Sequence, residues 1–314
     1  MHSRVRSRWR SQPSSWSELL AEPGQIQRQV RGHPRLLLVA AVLYLGLTFG
    51  VMLWRGIEIE PQWVVLALLV IALALGRGKQ FLVDWAPFLV LFFAYEEMRG
   101  FASKTGFRPH DVSGLERALF GGQLPTVVLQ RHFYNPSTIS PQDWVGLVLY
   151  FMHFVIPVVV GFAFWVRNRE HYWRYVSALL LLSFLSFITY LFFPTAPPWF
   201  EHRDVVVKIN DMTVTKWGVN YFISPIVGHI NPNQFAAFPS LHAAYPALAA
   251  MYAWRKYRPL GIALLVWSAS VWLAIVYLGE HYFVDALAGL AYAVVAALIV
   301  EAVARRRKTE ELLT

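Results

Sequence analysis

The sequence predicts an all-α polytopic membrane protein with about eight transmembrane helices and both termini in the cytoplasm. Three observations predict it. Of 314 residues, 56% are hydrophobic and only 15% charged, and the mean hydropathy is +0.42, a composition unlike that of ordinary soluble domains. Apolar runs such as residues 36–54 are long enough to cross roughly 30 Å of hydrocarbon. The 28 Lys and Arg residues gather in the connections beside such runs, where positive charge fixes orientation.

Taken in order, residues 1–35 carry seven arginines among Ser, Gln, Pro and Trp with no sustained periodicity. They read as a basic cytoplasmic tail with a short surface helix near 16–20. The apolar run that follows is longer than a signal-peptide core and has no small-residue cleavage site after it, so it reads as a retained first span. The spans fall at about 36–54, 62–76, 81–97, 144–166, 172–193, 237–254, 259–278 and 282–303. The first two form an N-terminal pair, 36–76; the third is interrupted by Asp84, Pro87, Glu96 and Glu97. With the N-terminus inside, the clusters Arg167/Arg169/Arg174, Arg255/Lys256/Arg258 and 305–308 all fall inside, and 304–314 is a second cytoplasmic tail.

Two long connections, 98–143 and 194–236, then face outward. The first contains a predicted amphipathic helix at 111–120, followed by Gly121-Gly122. The second opens with PTAPPW, too proline-rich for a helix interior. It continues as VVVKINDMTVTKW, two β-prone runs around Asn210-Asp211 that predict a short hairpin lying on the membrane surface.

The formal charge of +9 would suit a nucleic-acid binder, but the charges sit beside apolar runs, where they meet anionic headgroups. No interleaved basic and aromatic surface accompanies them, so nucleic acid is not a partner; the bilayer is. The lack of cysteine excludes disulfides, thiolate nucleophiles and Cys-ligated zinc. Thirteen tryptophans and fourteen tyrosines are the number that interfacial aromatic belts call for. Nothing in the sequence fixes an oligomeric state.

The chemistry gathers in two short stretches. His242 follows Pro239-Ser240-Leu241 at the outer start of the sixth span, with Pro239 in the first turn and Ser240 as a cap. His281 and Asp285 stand four residues apart near the outer start of the eighth span, a spacing that puts both on one helix face. The charge count alone places all three at one membrane face. Taken singly, His242 reads as a headgroup-level histidine and His281/Asp285 as an interhelical hydrogen bond; ionisable groups at span ends need water or a partner. Taken together they are a reactive set. A His–Asp pair suits a nucleophile held in one tautomer, and a second histidine suits proton delivery to a leaving group. Such a set splits a phosphoester through a phosphohistidine with neither metal nor cofactor. A zinc site would need a further ligand, for which His229 offers only uninformative spacing, and Ser240 lacks the G-x-S-x-G elbow of a serine nucleophile.

The run Pro239-Ser240-Leu241-His242 followed by His281-x-x-x-Asp285 resembles the second and third signature motifs of the type 2 phosphatidic acid phosphatase superfamily. The resemblance implies a six-helix catalytic core, here residues 80–303. It implies that His281 is the nucleophile, Asp285 its orienting partner and His242 the general acid that protonates the leaving group. Two departures narrow the branch. The third motif usually begins Ser-Arg, where this chain has Ala274-Ile275. The first motif, Lys-x6-Arg-Pro, is missing in full form: Lys79 meets Ala86-Pro87, and Arg108-Pro109 has Lys104 only four residues before it.

The stretches PTAPPW and EHYFVDALAG, with Tyr95-Glu96-Glu97-Met98-Arg99-Gly100, are instead similar to the inositol phosphorylceramide synthase branch and its bacterial relatives. That likeness implies that an alcohol attacks the phosphohistidine. A phosphorylated headgroup such as inositol phosphate would then move between a phospholipid and an alcohol acceptor, at the extracytoplasmic face of a bacterial plasma membrane. One alternative keeps the same three residues in a phosphatase acting on a lipid or polyprenyl phosphate or diphosphate. Another class is a proton-coupled lipid transporter using them as a relay; ionisable groups at span ends and the lack of an inverted repeat count against it.

Charge that builds on the phosphate oxygens must still be neutralised. Arg99, Arg108, Arg131 and Lys104 are the outer cations, with Arg99 and Arg108 preferred; their alternative reading is as solvated headgroup contacts. Ser240, Asn233 and Gln234 could donate hydrogen bonds to a phosphate or sugar, or simply cap the loop. Trp199 would cover an apolar chain, stack on a polyol or anchor at the interface.

Overall fold

The computed structural model describes residues 61–102, 107–216 and 233–313, together with positions 43 and 47. The chain divides into two units, Met1–Gly50 and Val51–Thr314, and the second holds the helices that build the site. The expected basic tail, its surface helix and nearly all of the first span lie outside the described residues, as does His229.

Eleven helices follow in order among the described residues: α1 Pro61–Ala74, α2 Gly78–Ala102, α3 Ser113–Leu119, α4 Pro125–Phe133, α5 Pro141–Arg167, α6 Arg169–Phe192, α7 Pro198–Glu201, α8 Ile209–Lys216, α9 Leu241–Trp254, α10 Arg258–Tyr277 and α11 Phe283–Leu313. No sheet is present among them; two isolated parallel bridges join His110 to Thr195 and Thr195 to Ala236. Four helices, α5, α6, α10 and α11, are long and apolar enough to cross a membrane, and α1 contains a shorter apolar stretch. Leu82, Val90, Leu265, Val266, Leu298 and Ile299 lie exposed on α2, α10 and α11, surfaces matched to hydrocarbon rather than water.

Local sequence explains the longest turns of chain. Ser140 and Asp143 form a reciprocal capping box at the start of α5, with Pro141 in its first turn, as expected of that pattern. Asn168 then serves as the sole joint between α5 and α6, its side chain accepting from the His171 N–H at 2.9 Å. The carboxylate that interrupted the third predicted span does not break α2. Asp84 is fully buried, accepts from the Trp165 indole at 2.8 Å and pairs with the Arg169 guanidinium. A buried charge with partners on two neighbouring helices becomes a clasp.

At the centre stands α9, packed against α5, α6, α10 and α11. Its buried side is rich in alanine: Ala243, Ala244, Ala247, Ala249, Ala250 and Ala253 are buried, which lets backbones approach closely. The closest approach is at Gly289 of α11, where a Cβ would lie 2.3 Å from the Ser240 carbonyl oxygen. The Ser240 N–H also donates to the Asp285 carbonyl at 3.0 Å. These two contacts lock the start of α9 to the first turns of α11.

One expected element is different. The predicted hairpin over 205–217 is instead an irregular strap at 205–208 leading into helix α8. Ile209 is buried, its N–H donating to the Leu278 carbonyl at 3.2 Å, and Asn210 donates to the buried Glu280 carboxyl at 3.0 Å. Anchors on the end of α10 override the β propensity of the valines and threonines. The amphipathic helix expected at 111–120 is present as α3.

Candidate active site

The strap, the bridges and helices α3, α4, α7 and α8 all gather where α9 and α11 begin and α10 ends, and there the three candidate catalytic side chains meet. His242 occupies the second position of α9. Ser240 is the N-cap, its hydroxyl accepting from the Ala243 N–H at 3.4 Å, and Pro239 precedes the cap instead of lying in the first turn, as expected from sequence. The Tyr190 hydroxyl of α6 holds the Pro239 carbonyl at 2.7 Å.

His281 lies in the turn between α10 and α11. Gly279 takes φ +81° there, and a Cβ would press to 2.8 Å from the Val207 carbonyl oxygen, so the position demands glycine on both counts. The Glu280 and His281 N–H groups both fold back on the Ile275 carbonyl, at 3.1 and 3.2 Å. Because α11 starts only at Phe283, His281 and Asp285 do not share a helix face as their spacing suggested; they meet across the helix N-terminus. Asp285 is fully buried and His281 is 5% exposed.

The proton on His281 is fixed by its neighbours. Nδ1 faces the Ala237 carbonyl at 3.0 Å and Asp285 Oδ2 at 3.4 Å. Both can only accept, so Nδ1 carries the hydrogen. In the neutral ring Nε2 is therefore the lone-pair nitrogen, and it lies 3.0 Å from Nδ1 of His242, which donates to it. Asp285 Oδ2 is itself steadied by the Tyr282 N–H at 2.9 Å. Around His242 stand two rings from α5: Tyr150 stacks at a centroid distance of 4.4 Å and His153 lies at 4.0 Å.

Three polar side chains that the sequence did not single out build the frame. Glu116 of α3, fully buried, accepts from the Phe283 and Val284 N–H groups at 2.9 and 3.0 Å, capping α11 from another helix. Burial raises the Glu116 pKa, the two N–H donors pull it back, and the Asp285 carboxylate adds to the rise. Gln130 of α4 ties the strap to the end of α10, donating to the Val207 and Tyr277 carbonyls at 2.8 and 2.9 Å and accepting from the Val207 N–H at 2.8 Å. Burial likewise raises the Glu280 pKa, while Lys208 and His281 act to lower it.

The expected phosphate ligands are not drawn together. Arg108 and Arg131 are exposed at this end. Arg99 lies on the last turns of α2, and its side chain and Lys104 fall outside the described residues. Ser240 spends its polar groups on capping and on Asp285. Asn233 is buried; its Oδ1 accepts from the Phe235 N–H at 3.0 Å, while its Nδ2 has no partner. Gln234 is exposed. Where the third motif would carry arginine, Ile275 is packed into the core. A cation that the sequence reading passed over, Lys208, sits on the strap 4.7 Å above the Trp199 ring and 3.1 Å from Asp211; the Trp199 N–H bonds the Gly279 carbonyl at 3.1 Å. Among the described residues no group of three His, Asp or Glu side chains is placed to hold a metal ion.

The model of the PAP2 superfamily matches residues 112–299, from α3 into α11, and the match contains His242, His281 and Asp285. This chain belongs to the PAP2 superfamily. Among curated PAP2-related proteins it is 28% identical over 279 residues to the phosphoinositol dihydroceramide synthase of Bacteroides thetaiotaomicron, covering 84% of this chain and 90% of that one. It is 30% identical over 189 residues to the inositol phosphorylceramide synthase catalytic subunit of Saccharomyces cerevisiae, covering 56% of this chain and 45% of the yeast protein. The Schizosaccharomyces pombe counterpart is 25% identical over 196 residues, covering 58% and 44%. No solved structure matches.

Proposed function

We propose that this protein is a membrane lipid phosphotransferase that moves inositol phosphate from a phospholipid to a ceramide-type alcohol through a phosphohistidine. The observation that carries the reading is His281 Nε2, left unprotonated by two acceptors at Nδ1 and met by a donor histidine 3.0 Å away. The relationship to the Bacteroides and yeast synthases supports the substrate class.

In the first half-reaction the donor phosphate enters where His242 now touches His281, opening that hydrogen bond. The Nε2 lone pair attacks phosphorus, and the bond from phosphorus to the diacylglycerol oxygen breaks. That oxygen takes its proton from His242. Positive charge on the His281 ring is held by Asp285 and the Ala237 carbonyl through Nδ1–H. In the second half-reaction the acceptor hydroxyl attacks phosphorus, gives its proton to the now neutral His242, and the P–N bond breaks. Charge on the phosphoryl oxygens is met by Lys208, by the Asn233 amide and by the cations expected from sequence, Arg99, Lys104, Arg108 and Arg131. The chain spans the membrane about eight times with both termini inside, α2 to α11 forming the catalytic core and the site facing the extracytoplasmic side.

Product analysis tests the reading. Purified protein given phosphatidylinositol and a ceramide should yield diacylglycerol and an inositol-phosphate sphingolipid in equal amounts. Exclusive release of free phosphate or inositol phosphate would replace the transferase with a hydrolase. A labelled, acid-labile and base-stable phosphoenzyme should form with the parent and be absent from His281→Ala.

A further inference from the structure

We propose that Tyr150 and His153 of α5 are positioning residues that clamp the ring of His242 so that its proton faces the leaving-group oxygen; this rests on the reading of His242 as the acid. A histidine χ2 torsion is broad and poorly fixed by rotamer preference, yet an acid must present one nitrogen in one direction to be effective. His242 meets this need through two ring neighbours that are themselves 6.0 Å apart and so flank it at roughly a right angle. Tyr150 stacks on it with an interplanar angle of 24° and a centroid distance of 4.4 Å. His153 approaches at 4.0 Å and 46°.

The clamp is itself anchored. His153 Nδ1 lies 2.5 Å from the Tyr150 carbonyl; a carbonyl only accepts, so this nitrogen holds the hydrogen and the ring is fixed in one tautomer. Tyr245 runs parallel to His153 at 6.5 Å, and its hydroxyl shares a hydrogen bond with Ser183 of α6 at 2.8 Å. Helix α6 thus backs the clamp. The chemistry follows from the ring types. A protonated imidazole over the Tyr150 face gains cation–π attraction. Neither residue touches the phosphorus in this arrangement, and both act through His242.

The test separates proton delivery from packing. Full-length His153→Ala, His153→Phe, Tyr150→Ala and Tyr150→Phe are assayed with a phospholipid donor and with a p-nitrophenyl phosphodiester analogue, whose leaving group needs no proton. With the phospholipid, kcat should fall about 10- to 100-fold in the two alanine variants with little change in KM, a part of the roughly 10²–10⁴-fold worth of a placed acid. With the activated donor the loss should stay under about threefold. Tyr150→Phe should recover close to parental activity because it keeps the stacking face. Equal losses on both donors, or an effect confined to KM, would overturn the proposal. So would a folded His153→Ala with parental kcat; if His153→Ala fails to fold, His153→Phe and Tyr150→Ala decide by the same criteria. His281→Ala run in the same assays keeps the two claims apart: if it retains turnover, the phosphohistidine reading itself falls, whatever the clamp variants do.

Discussion

A single nitrogen decides the chemistry. With Nδ1 of His281 between a carbonyl and a carboxylate, the ring can expose only an unprotonated Nε2. Asp285→Asn would let an amide N–H face Nδ1 and push the ring hydrogen to Nε2, where it blocks attack. The expected result is a loss of about 10²–10⁴-fold in kcat; because Oδ2 serves both Nδ1 and the Tyr282 N–H, the same turn of the amide forfeits the Tyr282 bond, and the melting temperature should fall with it. A fall of less than tenfold would mean that the Ala237 carbonyl alone holds the tautomer. Glu280, next to His281, makes a second prediction at this scale. Its pKa is raised by burial, so the folded state favours the protonated acid. The stability it contributes is complete below the ordinary carboxylate pKa and is lost as pH rises through the raised one. Glu280→Gln keeps an acceptor for Asn210 and cannot ionise. Its melting temperature should match the parent in acid and exceed it increasingly toward neutral pH. A difference that is flat with pH would show that Lys208 and His281 already neutralise the carboxylate.

Between residue and fold, the site depends on how α9 and α11 meet. At Gly289 an added Cβ collides with backbone, which cannot rotate aside. Gly289→Ala should therefore cost about 1–3 kcal/mol and reduce activity, by parting Ser240 from Asp285. Gly114→Ala is the control: nothing lies within 4 Å of the new Cβ, and an alanine in α3 should be neutral or stabilise by up to about 1 kcal/mol. Thermal melts in detergent distinguish the two, and equal effects would refute the close crossing. Glu116→Ala should destabilise by about 1–3 kcal/mol, because two buried N–H groups at the start of α11 lose their acceptor. These contacts also show what was readable at the level of elements. Apolar runs and basic connections gave the long helices closely, whereas the Ser140 and Asp143 capping box that starts α5 went unread. The hairpin expected around Asn210 failed because its fate is set by Leu278 and Glu280, which sit far along the chain. Glu116 was unreadable for the same reason: its partners are backbone groups of Phe283 and Val284. His153 went unread in the sequence, and only the packing of α5 on α9 brings it against His242.

Among the described residues of the second unit, polarity is divided between two ends. Glu301 gathers Arg174 and Arg255, each at 3.4 Å, and the exposed run 305–308 continues the basic end. The opposite end carries the histidines, the strap and the short helices. Charge counting anticipated that division, because positive residues resist transfer across the membrane. It could not say which cations meet the phosphate, because loop side chains are placed by packing rather than by spacing. The sidedness itself is testable, since a chain without cysteine gives single-site labels free of background. Gln123→Cys, in the exposed turn between α3 and α4, should react with an impermeant maleimide in intact cells. Arg306→Cys, on the exposed basic end of α11, should react only after permeabilisation. The reverse pattern would put the histidines on the cytoplasmic face, and the donor would then have to be drawn from the inner leaflet rather than the outer one.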